Sequence, residues 1–517
     1  MPSTSSSFPP QYLHRTFKSS GLFLSSNCVA PLQNLLAHES LPDRGKALDS
    51  IIKTLKSTLE KSRVDLTDLE NVVETLTRDA SDDQDQAIEL ISAYDTPSDS
   101  TSLPPPNLNT STLHPEVGER AGMFERRYKE VRGRVQENEV FQVSNIGRNA
   151  SEGGIKLDKI GALLGRPVGT SVFLLCLITP GLIEDDTGSA VAYYSPDINP
   201  TDGYATDNSI VLVEGTIKGQ KEGQVEIEVS EIHHPPYANR KEETGQVAGR
   251  EEQMVVVMSE VHLDSDRVME NVMKVLSGFE DMLTEQIEED PTFPPPVIVM
   301  MGSFTSKKSI HTREGRAAYR GSWSRLEKII SLHPNISKLA KFVFIPGTND
   351  PTPKPLPQMP VPEYFTKPIR ESSLVKAHFA SNPCRINFAS KSCVFYNSPS
   401  LTQSLSSSSL VPADKETGGL EHTFKTVLDQ GHLSPLPLTS YPTYWKLDSF
   451  LSLSPPPHGL ILGAASASGY NKALHYSPDE NKEGTYCVET GRFDIGDAEF
   501  VVYYPNTGEA EFSSVGG

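Results

Sequence analysis

Three short, wholly apolar runs constrain this chain more than any other feature: MVVVM (254–258), VIVMM (297–301) and FVFI (342–345). Each is too continuous for a half-exposed strand, and each leads into a polar loop and then a helical pattern. Val268, Val272, Val275 and Leu276 follow the first run at helical spacing, and WSRLEKIISL follows the second. Buried strands alternating with helices predict an α/β sandwich over residues 246–517, with functional loops at the carboxyl ends of its strands. RINFA, SCVFY, HGLILGAAS, AEFVVYYP and the helix HTFKTVLDQG extend the pattern. The stretch SPSLTQSLSSSSLVPADKETGG (398–419) interrupts it and reads as a disordered serine-rich insertion.

Upstream the pattern changes. TSVFLLCLIT (170–179), SAVAYY (189–194), SIVLVEGTIK (209–218) and QVEIEVSEIH (224–233) are strand-like, separated by the turns GLIEDDTG and KGQKEG. Short antiparallel strands at this spacing predict an OB-like barrel over 138–245. Its faces offer mainly Tyr193 and Tyr194, amid Glu184, Asp185 and Asp186. That favours a structural or protein-binding barrel over a single-strand binder, which needs aromatics on a basic groove. Met123, Phe124, Tyr128, Val131 and Val135 line one side of a basic helix (121–137), read as packing on this platform rather than on DNA. Residues 79–120, acidic then proline-rich, predict a flexible linker. Residues 1–78 predict a small helical bundle: Leu48, Ile51, Ile52, Leu55 and Leu59 form one stripe, and Leu69, Val72, Val73 and Leu76 another. Thr67 and Glu70 have capping-box spacing. A chain of 517 residues thus reads as multidomain α+β.

Charge narrows the function classes. With 47 basic and 67 acidic residues the net charge is −20, which disfavours a protein whose main task is gripping phosphate backbones. No run approaches the roughly 20 apolar residues of a membrane span, and the N-terminus lacks a secretory pattern. Five scattered cysteines without a CxxC pair predict neither a disulfide framework nor a structural zinc site, and an intracellular, reducing compartment.

The loops after the three runs read SEVHLD, GSFTS and GTNDP. In order and position they resemble the metal loops of calcineurin-like phosphoesterases, whose pattern is D-x-H, G-D, G-N-H-[DE] and G-H-x-H. That chemistry needs two cations about 3.5–4 Å apart, held by a bridging carboxylate. Glu260 and His262 keep the acid and imidazole of the first loop. Ser303 occupies the bridging position, Thr348 that of the asparagine ligand and Asn349 that of the catalytic histidine. Gly463-Ala464-Ala465-Ser466 stands where the paired histidines belong, so Ala464 and Ser466 supply no imidazole. His432 matches a middle histidine but stands alone. The resemblance implies a degenerate site with no metal and no cofactor.

A degenerate phosphoesterase domain behind an OB-like barrel resembles the B subunits of replicative DNA polymerases, and among these the second subunits of DNA polymerase epsilon. LHRTFKSSGLFL, AGMFERRYKEV, FVFIPGTNDPTPKPLPQMPVPEYFT, SNPCRINFASKSCVFY, LDQGHLSPLPLTSYPTYW and FVVYYPNTGEAEFSSV carry the resemblance. It implies a non-catalytic nuclear scaffold acting in replication initiation and leading-strand synthesis. The platform would hold the C-terminal zinc-bearing region of the catalytic subunit of DNA polymerase epsilon. An N-terminal domain similar to AAA+ lids would dock on the GINS part of the replicative helicase, and DNA would be reached indirectly through the holoenzyme. Two other classes compete: an active phosphoesterase with altered ligands, and a single-strand-binding OB protein.

Overall fold

The computed structural model describes residues 10–20, 22–29, 63–64, 88–92, 116–141, 155–221, 223–240, 250–307, 310–464, 472–477 and 483–516, with a few single positions between 32 and 56. The chain divides into two compact units, Met1–Ile88 and Glu89–Gly517. In the first, α1 (Pro10–Ser19) buries Leu13 and Phe17, and Leu48 and Ile52 are buried too. A short parallel pair, β1 (Phe23–Leu24) with β2 (Arg63–Val64), adds strand character that a purely helical expectation lacks. Ile51, Leu55, Leu59 and the 67–76 pattern lie outside the described residues.

The second unit begins with a correction. Ile88–Ser92, inside the expected linker, form β3 at the edge of a six-stranded sheet, and Asn387 donates to Glu89 at 3.0 Å. Ile88, Leu90 and Ile91 give the stretch enough apolar character for an edge strand, although the flanking composition is acidic.

Helix α2 (Glu119–Glu137) precedes a closed barrel of β4 (Ser171–Thr179), β5 (Leu182–Asp185), β6 (Gly188–Tyr194), β7 (Ile210–Lys221) and β8 (Gln224–His233), in the order β4-β5-β6-β8-β7. β5 falls inside the stretch read as the turn GLIEDDTG; only Asp185–Gly188 reverse the chain, with Asp185 Oδ1 accepting from the Thr187 and Gly188 amides. Alternate residues such as Leu174, Cys176 and Ile178 fill the barrel. Leu175, Leu177, Ile210 and Leu212 point outward and are covered by Val131 and Val135 of α2.

Beyond it lie two six-stranded sheets. The first has the order β12-β11-β10-β9-β18-β19: β9 (Val255–Met258), β10 (Val297–Met301), β11 (Lys341–Ile345) and β12 (Lys376–Phe379) run parallel, β18 (Glu499–Tyr503) is antiparallel to β9, and β19 (Ala510–Ser514) is antiparallel to β18. The second runs β16-β17-β15-β14-β13-β3, from β13 (Cys384–Phe388), β14 (Lys391–Asn397), β15 (Gly459–Gly463), β16 (Lys472–Tyr476) and β17 (Thr485–Thr490). Val256, Met258, Ile298, Met300, Phe342 and Phe344 pack on α3 (Asp266–Glu289), α4 (Arg313–Ser331), α5 (Pro334–Leu339) and α6 (Glu363–Arg370). Their sequence neighbours point the other way, toward the second sheet: a Cβ on Gly463 would touch Met301, and one on Gly459 would crowd Tyr503. The outer face of the second sheet packs on α7 (Leu401–Ser408) and α8 (Gly419–Gln430). Continuous apolar runs follow, because each central strand is buried on both faces.

Helix α7 overturns the expectation of disorder over 398–419. Ser406 and Ser407 are exposed while Leu401 and Leu405 on the helix and Val411 beyond it are buried, three apolar anchors in a stretch whose composition is otherwise polar.

Candidate functional site at the strand ends

The loops after β9, β10, β11 and β17 meet at the carboxyl ends of the parallel strands. Backbone hydrogen bonds lace them together: Leu263 N to Phe304 O (3.0 Å), Gly302 N to Ile345 O (2.8 Å) and Phe493 N to Ser259 O (2.9 Å). Gly302 and Gly347 are required here, because a Cβ on either would strike the backbone of the other's loop.

Within this cluster Glu260 adopts a left-handed backbone (φ 59°) that turns its side chain inward. Its Oε1 accepts the Ser303 amide at 3.1 Å, and its Oε2 lies 3.2 Å from His262 Nε2. His262 Nδ1 lies 3.3 Å from Asp494 Oδ2, and Asp494 is clamped by both arms of Arg492 at 2.9 and 2.7 Å. Burial opposes a charged imidazole, but the hydrogen bond it donates to Glu260 and the charges of Asp494, Glu260 and Asp264 outweigh it, raising the His262 pKa. Both ring nitrogens face carboxylates, the geometry of an imidazolium rather than of a metal ligand with a free lone pair.

Asp350 ties the second and third loops together. Its Oδ1 accepts from Phe304 N (2.9 Å) and Tyr319 OH (3.0 Å), and its Oδ2 from Gly347 N (2.7 Å). Burial pushes its carboxyl up to about 7 against those hydrogen bonds. Ser303 Oγ accepts the Asn349 amide at 3.3 Å, and Asn349 Nδ2 donates to Thr305 O at 3.4 Å. From the second sheet, Asn397 Nδ2 reaches Gly302 O and Pro346 O, the latter at 3.3 Å.

Of the residues singled out from sequence, Glu260, His262, Ser303 and Asn349 therefore converge. Thr348 is exposed, its carbonyl accepting from the Lys354 ammonium. Ala464, with φ 47°, donates its amide to Thr490 O at 3.2 Å, while Ala465 and Ser466 lie outside the described residues. His432 serves elsewhere: Nδ1 accepts the Ser434 amide at 3.0 Å, and Nε2 lies 3.3 Å from Asp448. Among the described residues, three potential ligand groups lie mutually within 4.8 Å at Glu214, Glu231 and His233 on the barrel, and not at the strand ends.

Comparison with known proteins gives this geometry its context. The sequence pattern of the B subunit of DNA polymerases alpha and epsilon matches residues 255–470, the sandwich that carries the loops. That of the OB-fold domain of proteins like DNA polymerase epsilon subunit 2 matches residues 117–236, which include α2 and the barrel. In barrel and sandwich alike, the chain is similar to the B subunits of DNA polymerases. Similar proteins along its whole length include the DNA polymerase epsilon B subunit of Arabidopsis thaliana, 26% identical over 97% of this chain and 98% of the relative. DNA polymerase epsilon subunit 2 of Bos taurus is 27% identical and that of Homo sapiens 26%, each over 97% of both chains.

In this chain the stretch QGHLSPLPL joins barrel to sandwich. The Gln430 side chain accepts from Ile210 N and donates to Ile210 O, each at 2.8 Å. Asn208 Nδ2 donates to Leu436 O at 3.0 Å, and Thr206 Oγ1 to Pro435 O. Gly431, in the left-handed region (φ 65°), ends α8 and leaves room for the Arg134 guanidinium, which donates to Asp429 O (2.9 Å) and Gln430 O (3.1 Å). Arg127 completes the joint through a buried pair with Asp448. Sequence reasoning missed Asp350, Asn397, Arg492 and Asp494. Asp350 was legible in GTNDP as the final acid of the third-loop pattern; the other three belong to strand ends with no motif of their own.

Proposed function

We propose that this chain is a non-catalytic accessory subunit of DNA polymerase epsilon. Its barrel and inactive calcineurin-like phosphoesterase domain scaffold the zinc-bearing C-terminal region of the catalytic subunit. Its N-terminal helical domain, residues 1–78, docks on GINS in the replicative helicase. The protein acts in the nucleus, in replication initiation and leading-strand synthesis, and meets DNA through the holoenzyme.

One observation carries the non-catalytic reading. The acids and imidazole that a dinuclear centre would need are turned on one another, with His262 between Glu260 and Asp494, and Glu260 engaged by the Ser303 amide. A serine at the bridging position cannot hold two dications about 3.5–4 Å apart, and Ala464 offers no donor. The positions Glu260, His262, Ser303, Thr348, Asn349, Ala464 and Ser466 are thus a degenerate metal site, whose remaining charges fasten the loops. Full-length relatives named as polymerase epsilon subunits support the choice of assembly.

Two assays test this. Purified chain with manganese should turn over neither a chromogenic phosphodiester nor single-stranded DNA; turnover abolished by Glu260→Ala or His262→Ala would sink the reading. In pull-downs, deleting residues 1–78 should abolish GINS capture and spare binding to the polymerase's C-terminal region. Ile345→Asp, a charge placed in the buried strand β11, should do the reverse. A truncated chain that captures GINS as well as the intact one would refute the division of labour.

A further inference from the structure

Within a chain of net charge −20, residues 307–328 hold seven lysines or arginines against two glutamates. Most of this charge lies on α4. At about 100° per residue, Arg313, Arg316 and Arg320 fall within about 60° of one another and Lys328 about 60° to the other side of Arg313, together extending about 22 Å along the axis. Ala317, Gly321 and Ser324 lie between them, and a Cβ on Gly321 would meet nothing, so the cations stand proud of a low surface. Glu327 lies in the same arc and is held by the Ser331 and Ser372 hydroxyls. The adjoining face, Tyr319, Trp323, Leu326 and Ile330, is buried in the core. Arg313, Arg316 and Lys328 are exposed, as is Lys307 in the loop before the helix.

The partners of these cations set the stripe apart from the other basic helix. On α2, Arg127 pairs with Asp448, Arg132 with Asp186 and Lys129 with Glu125, while Arg126 and Arg134 donate to carbonyls. Those charges already have partners within the chain. On α4, Arg325 pairs with Asp266, but Arg313, Arg316, Arg320 and Lys328 have no acidic partner among the described residues. Arg320 instead lies over the Tyr364 ring, 5.2 Å from its centroid.

We propose that this stripe is a docking surface for the phosphate backbone of duplex DNA. Unpaired cations at roughly one per helical turn suit a regular polyanion, and the acidic remainder of the surface would keep the duplex to this face. The Tyr364 ring face carries the Arg320 guanidinium, so it is not a bare platform for stacking an unpaired base. That favours duplex over single strand. This contact, independent of sequence, would add to the one made through the holoenzyme, and does not depend on whether the chain anchors a polymerase.

The test is fluorescence anisotropy of full-length chain with a short dye-labelled DNA duplex, comparing wild type with the combined variant Arg313→Glu, Arg316→Glu and Lys328→Glu. These side chains are exposed, and thermal melting checks that the fold is kept. Because the variant neutralises three fewer phosphates, a roughly fourfold rise in salt should weaken the wild type about 40-fold more than the variant. A control reversing Lys156, Lys221 and Lys415, which changes net charge equally, should bind as wild type. Failure of the wild type to bind at low salt overturns the proposal, as does an equal weakening in the control. Tighter stripe-dependent binding of a single strand of the same length also overturns it. Stripe-dependent capture of polyglutamate without duplex binding would make the partner an acidic protein instead, and overturn it too.

Discussion

The joint between α2 and the sandwich contains a buried ion pair, and cutting it should be costly in a diagnostic way. Arg127 Nε donates to Asp448 Oδ2 at 3.0 Å, Nη2 reaches Oδ1, and the side chains are 8% and 5% exposed. His432 Nε2 stands 3.3 Å from the same carboxylate. Burial would raise the Asp448 pKa, but His432 and Arg127 together hold it well below the carboxylate range. Arg127→Met leaves that carboxylate alone in a poorly solvated site, and Asp448→Leu strands the guanidinium. Each should cost about 3–5 kcal/mol, whereas the double variant should lie within about 1 kcal/mol of wild type, since an apolar pair of similar volume avoids desolvating either charge. Hydrogen exchange of the amides of α2 in the full-length chain reads the local opening free energy without assuming two-state unfolding. A second signature follows from His432, whose pKa is lowered by burial and by the Arg127 charge. Without the guanidinium the imidazole can take a proton and partner Asp448, so the Arg127→Met deficit should shrink from about pH 8 to about pH 6. Single variants costing under about 1 kcal/mol, or a double variant equal to their sum, would refute the reasoning.

Other expectations follow from the strand-end loops and from α7. Asp350→Asn should destabilise by about 1–3 kcal/mol in thermal melts, because an amide group cannot accept from Gly347 N, Phe304 N and Tyr319 OH through both of its heavy atoms. With its folded pKa raised to about 7, Asp350 contributes stability fully present below the ordinary carboxyl value and lost as pH rises through about 7. Melting wild type and Asp350→Asn in parallel should show the wild type falling more steeply over that range. His262 has a raised pKa as well, so its contribution is complete below the ordinary imidazole value and fades as pH rises through the folded one. The melting difference between wild type and His262→Gln should therefore narrow in alkali, and a widening difference would contradict the imidazolium assignment. Leu405→Ala should cost about 2–5 kcal/mol, measured by urea unfolding, because Leu405 is fully buried; a cost near zero would restore the disordered reading of its segment.

The elements legible in the sequence were those whose pattern repeats a single physical demand. Val255–Met258, Val297–Met301 and Lys341–Ile345 are buried on both faces, and an unbroken apolar run is what that requires. Glu260 and His262 were legible because both follow one such strand directly. Their clasp was not, since Asp494 lies over 200 residues away and only the packing of the two sheets brings its loop alongside. Composition misled where a few anchors outweigh many polar neighbours: Leu401 and Leu405 order a serine-rich segment, and Ile88–Ser92 are strand within an acidic stretch. Local propensity is a weak prior against tertiary burial.

The amide of Gln430 behaves toward Ile210 as the backbone of an adjoining strand would, satisfying both its N–H and its C=O. A recombinant fragment ending between barrel and sandwich would therefore leave the Ile210 N–H and C=O open at the start of β7, a template for aggregation. Expression trials, and evolutionary shuffling alike, should succeed when they carry residues 119–516 as one piece and fail when they cut near residue 245.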